Sequence, residues 1–347
     1  LVGSGDVYKR QDDMGESWQS IDLFGEKNIS LIWTDSEGKL FIAGCSGEAN
    51  SPDGVTRGHT LYCSTDGLKS FVPLTTPDPV KYENSSYYGF VPQRITSDSR
   101  YIYITFASSG EVFYGGMGAY ACDTGSLSGG KVYRYRIENG VPVFDTDITP
   151  EDDTPCGYSG ICSNGKMLLL STVCRKNGGD MIYTSTDGGE SWKIIMNGLE
   201  YSRFDWNIPY MKPAYNGGGN CVHWISDIKL SPFDSDTALF NTGTGLFMIT
   251  GLASGDVLVK PFCEGIEETV HLNVYTTTHG RNRIIDIIGD LGGFAFEDYD
   301  SECENSFANE NGDRYITCLN ADLTLSDPEY IVSTPRGNWT GKTKGGL

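Results

Sequence analysis

Asp290 is the first residue here whose type and setting suggest chemistry. It stands in GDLGGF (289–294), flanked by Gly289, Gly292 and Gly293, whose missing side chains let a backbone or a ligand approach closely. A carboxylate in such a place can cap a turn by accepting amide hydrogen bonds, or it can move a proton if its surroundings set its pKa. Spacing alone leaves both roles open. A second cluster is aromatic. FDWNIPYMKPAYN (204–216) shows no strand alternation, so not all of its rings can be core, and Trp206, Tyr210 and Tyr215 become candidate binding platforms. Trp224, beside His223 at the head of an apolar strand, is a candidate for the wall of a cleft or for core. YYGF (87–90) and VFYGGMGAY (112–120) hold further loop aromatics.

Metal chemistry finds no matching pattern. The four histidines (His59, His223, His271, His279) are scattered without an HxxxH pair. The ten cysteines contain no CxxC; Cys156 and Cys162 are six apart, Cys303 and Cys318 fifteen. Free thiols and a few surface disulfides both remain open. Asp145, Asp147, Asp152 and Asp153 lack the spacing of a calcium loop and read as a solvated acidic loop. No metal and no cofactor are expected. The charge balance, 26 Lys+Arg against 46 Asp+Glu for a net −20, repels phosphate backbones and argues against nucleic acid as a partner. The longest charge-free stretch, TALFNTGTGLFMITGLASG (237–255), is broken by Thr, Asn and Gly. It reads as two short strands and a turn rather than a membrane span.

The elements that must position these residues are strands. With 347 residues the chain is about two to three domain-lengths. Its 44 glycines point to many tight turns, its aromatics to a core of large rings, and no segment carries sustained helical periodicity with caps. The fold class is therefore all-β. An eight-residue box recurs: QDDMGESW (11–18), STDGLKSF (64–71) and STDGGESW (185–192). Asp13, Asp66 and Asp187 hold its third position, at intervals of 53 and 121 residues, and Trp18, Phe71 and Trp192 hold its eighth. The longer interval has room for one more unit, at the hairpin KVYRYRIENGVPVF (131–144), which has lost the box. A period of about 50–60 residues suits a four-stranded propeller blade. In the box the Asp can accept hydrogen bonds from turn amides, Gly15 and Gly189 can take a positive φ, and the last aromatic can pack beneath. Tyr101–Phe106 and the run 166–171 are apolar enough to be inner or middle strands.

The box resembles the Asp box of sialidase-like propellers, where it is scaffold. Four further blocks carry a more specific resemblance: HWISDIKLSPFDSDTALFNTGTGLFMI (223–249), EGIEETV (264–270), IIGDLGGFAFEDYD (287–300) and LNADLTLSDPEYIV (319–332). In this order and spacing the chain resembles family 74 glycoside hydrolases, the xyloglucanases, over residues 12–332. The resemblance implies two seven-bladed β-propellers in tandem with a polysaccharide cleft between them. Residues 12–262 would then form most of the first propeller and 263–347 the start of the second. Residues 1–11, which include GDVYKRQ, resemble translated adapter sequence and are expected to be non-native or disordered, and the chain is read as a section of a longer protein. The resemblance further implies inverting cleavage of a β-1,4-glucan backbone by two aspartates. Asp290 matches the general acid, while the general base belongs to an upstream motif with no match in this chain. An inverting pair stands roughly 6.5–9.5 Å apart to admit a water, so this section alone is expected to be inactive. Pyranose faces are apolar and stack on rings, which makes Trp206, Tyr210, Tyr215, His223 and Trp224 candidate sugar contacts, with Gly292 and Gly293 letting the sugar close in. Phe296 departs from the more polar residue expected in the tail after the acid. A polysaccharide substrate implies a secreted or cell-surface enzyme without a membrane span. The rival readings are a non-catalytic Asp-box propeller that binds glycans or proteins, and a sialidase-like exo-glycosidase.

Overall fold

The computed structural model describes residues 7–10, 13–22, 27–48, 61–77, 90–108, 129–152, 154, 156–175, 179–198, 201–208, 210–211, 222, 224–266, 269–303, 306–324, 326–337 and 344–345. Among the described residues, twenty-three strands make up nearly all of the regular structure, with a 3-10 turn at Tyr201–Arg203. β1 (Val7–Arg10) and β2 (Gln19–Asp22) form a two-stranded ribbon. Four antiparallel sheets of four strands follow in chain order. The first holds β3 (Lys27–Thr34), β4 (Phe41–Glu48), β5 (Leu61–Ser64) and β6 (Val72–Pro73). The second holds β7 (Phe90–Ser97), β8 (Tyr101–Ser108), β9 (Gly130–Glu138) and β10 (Val141–Asp147). β11 (Gly157–Ser163), β12 (Leu168–Val173), β13 (Met181–Ser185) and β14 (Lys193–Asn197) form the third. The fourth is β15 (Asp227–Leu230), β16 (Thr237–Thr242), β17 (Gly245–Thr250) and β18 (Leu258–Pro261). A five-stranded sheet closes the list with β19 (His271–Thr276), β20 (Ile284–Ile288), β21 (Gly292–Phe296), β22 (Thr317–Thr324) and β23 (Asp327–Arg336).

The all-β reading is borne out, and so is the meander expected of blades. The described sheets do not close a ring, in keeping with a chain read as part of a longer protein. Two compact units divide the chain, residues 1–200 with 222–258, and residues 201–221 with 259–347. No helix among the described residues is long and apolar enough to cross a membrane.

Strand alternation explains how the first unit is built. On β8, Ile102, Ile104 and Phe106 enter one core with Ile42, Leu61 and Ile95, while Tyr103 points the other way into a second core with Tyr158, Leu168 and Tyr183. Successive side chains point to opposite faces of a strand, so one apolar run serves two sheet neighbours. The first strands carry the succession, with β7 against β3 and β4, β11 against β7 and β8, and β15 against β11 and β12. Gly160 permits the closest of these approaches, since a Cβ there would meet the Ile228 nitrogen at 2.6 Å.

The boxes at 64–71 and 185–192 close the hairpin between the third and fourth strands of their sheets, and the box at 11–18 closes the β1–β2 ribbon. In the third sheet, Ser185 Oγ donates to Asp187 Oδ1 at 2.7 Å and accepts from the Gly189 N–H at 2.9 Å. Asp187 also accepts from the Ser191 N–H (3.0 Å) and hydroxyl (2.5 Å). Asp66 repeats the set with Ser64 and Ser70, and Asp13 repeats its second half with Ser17. Gly15 and Gly189 take φ of 90° and 89°, as the turn needs. The serine at position seven, present in all three copies, is a partner that the sequence reading passed over. Trp192 packs beneath its turn, its Nε1–H donating to the Ile148 carbonyl at 2.7 Å, whereas Trp18 stays exposed. The boxless hairpin lies at the equivalent place between β9 and β10, with Asn139 and Gly140 at φ 52° and 80°, a type I′ turn. Between β17 and β18, Asp236 substitutes from a distance by accepting from the Gly251 and Ala253 amides.

Residues 7–10 pair with Gln19–Asp22 in register Val7↔Asp22 to Arg10↔Gln19. The Asp13 turn between them supplies the reversal that makes such pairing possible.

Hydrogen bonds from Ser191 and Ser185 lower the pKa of Asp187 to about 2. A folded-state value below the unfolded carboxylate value of about 4 stabilises the protein above that pH, and the contribution is lost as pH falls through about 2. Asp187→Ala is therefore expected to cost about 1 kcal/mol at pH 7, the low end for charge-assisted bonds because the turn is solvated. In urea unfolding the difference from wild type should persist at pH 5 and shrink as the pH approaches 2; a pH-independent difference would rule out the carboxylate as its source.

Candidate functional site

Asp290 sits at the tip of the β20–β21 hairpin, in the second unit, where Ile288 pairs with Gly292 and leaves a three-residue turn. Asp290 takes a left-handed φ of 62°, a region that short polar Asp tolerates better than most residues. The turn is fixed from several sides. The Asp290 N–H donates to Thr317 Oγ1 at 3.0 Å, the Gly289 N–H to the Val270 carbonyl at 2.8 Å and the Gly292 N–H to the Ile316 carbonyl at 2.9 Å. The backbone is thus held while the residue stays exposed. Its amide and not its carboxylate makes the capping bond, so the carboxylate is not spent on the turn through that bond.

The glycines around it behave differently from the sugar-admitting role expected of Gly292 and Gly293. Both are buried. Gly292 has φ 81°, and a Cβ there would meet the Tyr315 carbonyl at 3.0 Å. At Gly293 a Cβ would meet the Asp286 carbonyl at 2.7 Å and the Phe307 ring at 3.1 Å. The close approach that these glycines permit is to the protein's own chain, because residues 306–316 fold back over β21 through the Phe294↔Ser306 bridge and the Phe307 N–H to Gly293 carbonyl bond (2.8 Å).

His271, read from sequence only as one of four scattered histidines, lies one register position from this turn, opposite Ile288. Its Nδ1 is 2.9 Å from Asp286 Oδ1, and its Nε2 2.6 Å from Thr269 Oγ1. The available signal was the acid inside the apolar strand IIDII (284–288), where a buried carboxylate needs a polar partner.

Of the aromatic loop, Phe204, Ile208 and Met211 are buried, and Trp206 and Tyr210 half-buried. Trp206 stacks on Phe204, centroids 5.2 Å apart at 23°. Phe204 in turn bridges to Val259, and the Asp205 N–H donates to the Val259 carbonyl at 2.8 Å. Tyr210 meets Phe294 edge to face at 6.5 Å, which ties the loop to the strand that leaves the Asp290 turn. Phe296 spends its ring on Phe294 as well, 6.3 Å away. Tyr215 and His223, with the loop aromatics of 87–89 and 112–120, lie outside the described residues.

Trp224 belongs to the first unit and precedes β15 rather than beginning it. Its φ is 60° and it is 48% exposed, while Val222 and Ile225 on either side are fully buried. A bulky residue in the left-handed region costs about 1–3 kcal/mol and persists only where its surroundings impose it. The ring is not core.

Asp145, Asp147 and Asp152 do not form the solvated loop expected of them. Asp145 and Asp147 lie on β10 and face Arg134, Arg136 and Lys131 on the paired strand β9. Asp152 is held by Arg175 and by the Tyr183 hydroxyl; Asp153 is outside the described residues. Arg94 and Arg281 also face carboxylates, Asp227 and Glu297. Of these arginines, Arg134 and Arg175 are largely buried against their carboxylates. Cys63, Cys156, Cys162, Cys303 and Cys318 are buried free thiols, and burial pushes Cys156 and Cys162 up to about 12, far from the reactive thiolate.

If the space before Gly293 is filled by chain and not kept for ligand, Gly293→Ala should destabilise the fold by about 1–3 kcal/mol through overpacking. Calorimetric unfolding that matches wild type would instead mean that the space is open.

No protein-family model matches the chain. It is 21% identical over 374 aligned residues to a xyloglucanase of a Paenibacillus species, the match covering 97% of this chain and 34% of the relative. Against the oligoxyloglucan-reducing end-specific xyloglucanase of Emericella nidulans it is 23% identical, over 83% of this chain and 41% of that one. Among solved structures, the GH74 xyloglucanase from Xanthomonas campestris superposes with a TM-score of 0.73 at 19% identity, covering 95% of this chain and 46% of the other. The Niastella koreensis GH74 enzyme gives 0.69 at 17%, covering 97% and 48%. The chain spans about a third to a half of the length of the relatives it matches. The resemblance read from the four sequence blocks is borne out, and at these identities what the chain shares with the GH74 enzymes is their fold.

Proposed function

We propose that the chain is a section of a glycoside hydrolase that cleaves the β-1,4-glucan backbone of xyloglucan with inversion, and that Asp290 is its general acid. The observation that carries this reading is the presentation of Asp290: a fixed backbone, an exposed side chain and a capping bond made by its amide alone. The relatives named xyloglucanase support the substrate class. In the reaction the acid gives its proton to the glycosidic oxygen as the C1–O bond breaks, and a water activated by a second carboxylate attacks C1 from the opposite face. That second aspartate is assigned to the part of the protein outside this chain, so the chain alone is expected to be inactive. A general acid must keep its proton near neutral pH.

Residues 12–262 are assigned to the first propeller and 263–347 to the start of the second. Trp206, Tyr210, Tyr215, His223 and Trp224 are assigned to sugar contacts. Trp224 is the best presented of these, since its ring is exposed between two buried anchors. Gly292 and Gly293 serve instead by shaping the turn that carries Asp290. The polymer's size places the enzyme outside the cell or on its surface.

Asp290→Asn keeps the side chain's shape and the amide bond to Thr317 but removes the transferable proton. In the parent protein with its upstream blades restored, it should lower kcat/KM on xyloglucan by about 10²–10⁴ with an unchanged unfolding midpoint. Retention of full activity in Asp290→Asn would sink the assignment. Binding of xyloglucan without hydrolysis by the unsubstituted parent would favour the non-catalytic glycan-binding reading.

A further inference from the structure

We propose that Asp180 is a positioning residue that forces Trp224 into its exposed, left-handed conformation. Asp180 immediately precedes β13 and is fully buried. Its two carboxylate oxygens are divided between two jobs. Oδ1 accepts from the Thr172 hydroxyl at 2.8 Å and from the Arg175 N–H at 3.0 Å, which ties it to β12 and the turn after it. Oδ2 accepts from the Ile225 N–H at 3.1 Å. The Asp180 N–H acts on the same segment, donating to the Val222 carbonyl at 3.0 Å, while its carbonyl accepts from the Gly198 N–H after β14 at 2.9 Å.

One residue therefore grips the chain on both sides of Trp224, by the carbonyl of Val222 and the amide of Ile225. A third anchor comes from Ser159, whose hydroxyl donates to the Ile225 carbonyl. Val222 and Ile225 are buried to completion. With both flanks fixed three residues apart, Trp224 has no room to turn inward and is extruded beside the β16–β17 turn, where a Cβ on Gly243 would lie 3.5 Å from its ring. Gly198 makes the grip possible: a Cβ there would meet the Asp180 carbonyl at 2.7 Å and the Val222 Cβ at 3.1 Å. A buried carboxylate that only served the β12 turn would not need its second oxygen on Ile225. The consequence for sugar binding rests on the reading of Trp224 as a platform; the positioning itself does not.

Asp180→Asn separates the two jobs. The amide oxygen can keep Thr172 and Arg175, but its NH₂ then faces the Ile225 N–H, donor against donor. The readout is acrylamide quenching of the Trp224 fluorescence, taken as the difference between each protein and its Trp224→Phe counterpart in the full chain. The expected result is a changed Trp224 quenching constant in Asp180→Asn and none in Thr172→Val, which loosens the other half of the same network. Xyloglucan affinity should fall on the order of tenfold in Asp180→Asn and in Trp224→Ala, the scale of one lost aromatic anchor, with no further loss in the double variant. An unaltered Trp224 signal in a folded Asp180→Asn protein overturns the proposal, and so does an equal change in Thr172→Val. Should Asp180→Asn not fold, Gly198→Ala, which crowds Asp180 against Val222 with the carboxylate intact, must move the same signal. If the signal moves but Trp224→Ala leaves xyloglucan binding untouched, Asp180 still positions Trp224 and the platform reading is what fails.

Discussion

In the first unit, the middle strand of one sheet fills two cores at once. Ile102, Ile104 and Phe106 of β8 face one neighbour and Tyr103 faces the other, so no sheet can bury its apolar surface alone. Burial at roughly 25 cal/mol per Å² is the dominant favourable term in folding, and here it is available only if successive sheets stack in order. That requirement brings first strands to backbone distance, which is why Gly160 on β11 faces the Ile228 nitrogen on β15. Turns at the sheet ends are then placed by the stack, and the side chains on them project where the stack puts them.

Carboxylates do much of the fixing of those ends. Asp66 and Asp187 close their hairpins with the same serine partners, Asp236 holds the β17–β18 connection from another loop, and Asp180 grips the lead into β15. Others neutralise arginines across a hairpin, as Asp145 does for Arg134 and Arg136. The net charge of −20 is thus partly a record of backbone amides that need acceptors in a fold made of short loops, and not a signature of cation binding. Asp290 differs from these acids because its amide, not its side chain, makes the capping bond.

A left-handed backbone does not by itself mark a site. Met14, Leu68 and Asn139 share it and lie in ordinary hairpin turns. Trp224 is set apart by the combination of a large ring, exposure and two flanking residues that are wholly buried. Strain of this kind survives only when the surroundings over-determine it, and the two oxygens of Asp180 with the hydroxyl of Ser159 account for that.

Much of the architecture was legible in the chain because its signals are local. The apolar runs 101–106 and 166–171, the thrice-repeated box and the hairpin of 131–144 each act over a few residues, and each lies in or beside the strands its pattern predicts. Asp290 was legible too, though only as a member of a motif. What the sequence could not decide were the relations between segments far apart in the chain: that Gly293 is closed by Phe307, that Asp145 meets Arg134, that His271 finds Asp286, and that residues 201–221 join the unit holding Asp290. A glycine reads the same whether a sugar or a carbonyl comes to lie against it, and an aspartate reads the same on a strand as in a loop. The sequence by itself determined the strands and their turns; the packing of sheets against one another decided what each polar or missing side chain faces, since that depends on neighbours that only the folded chain brings near.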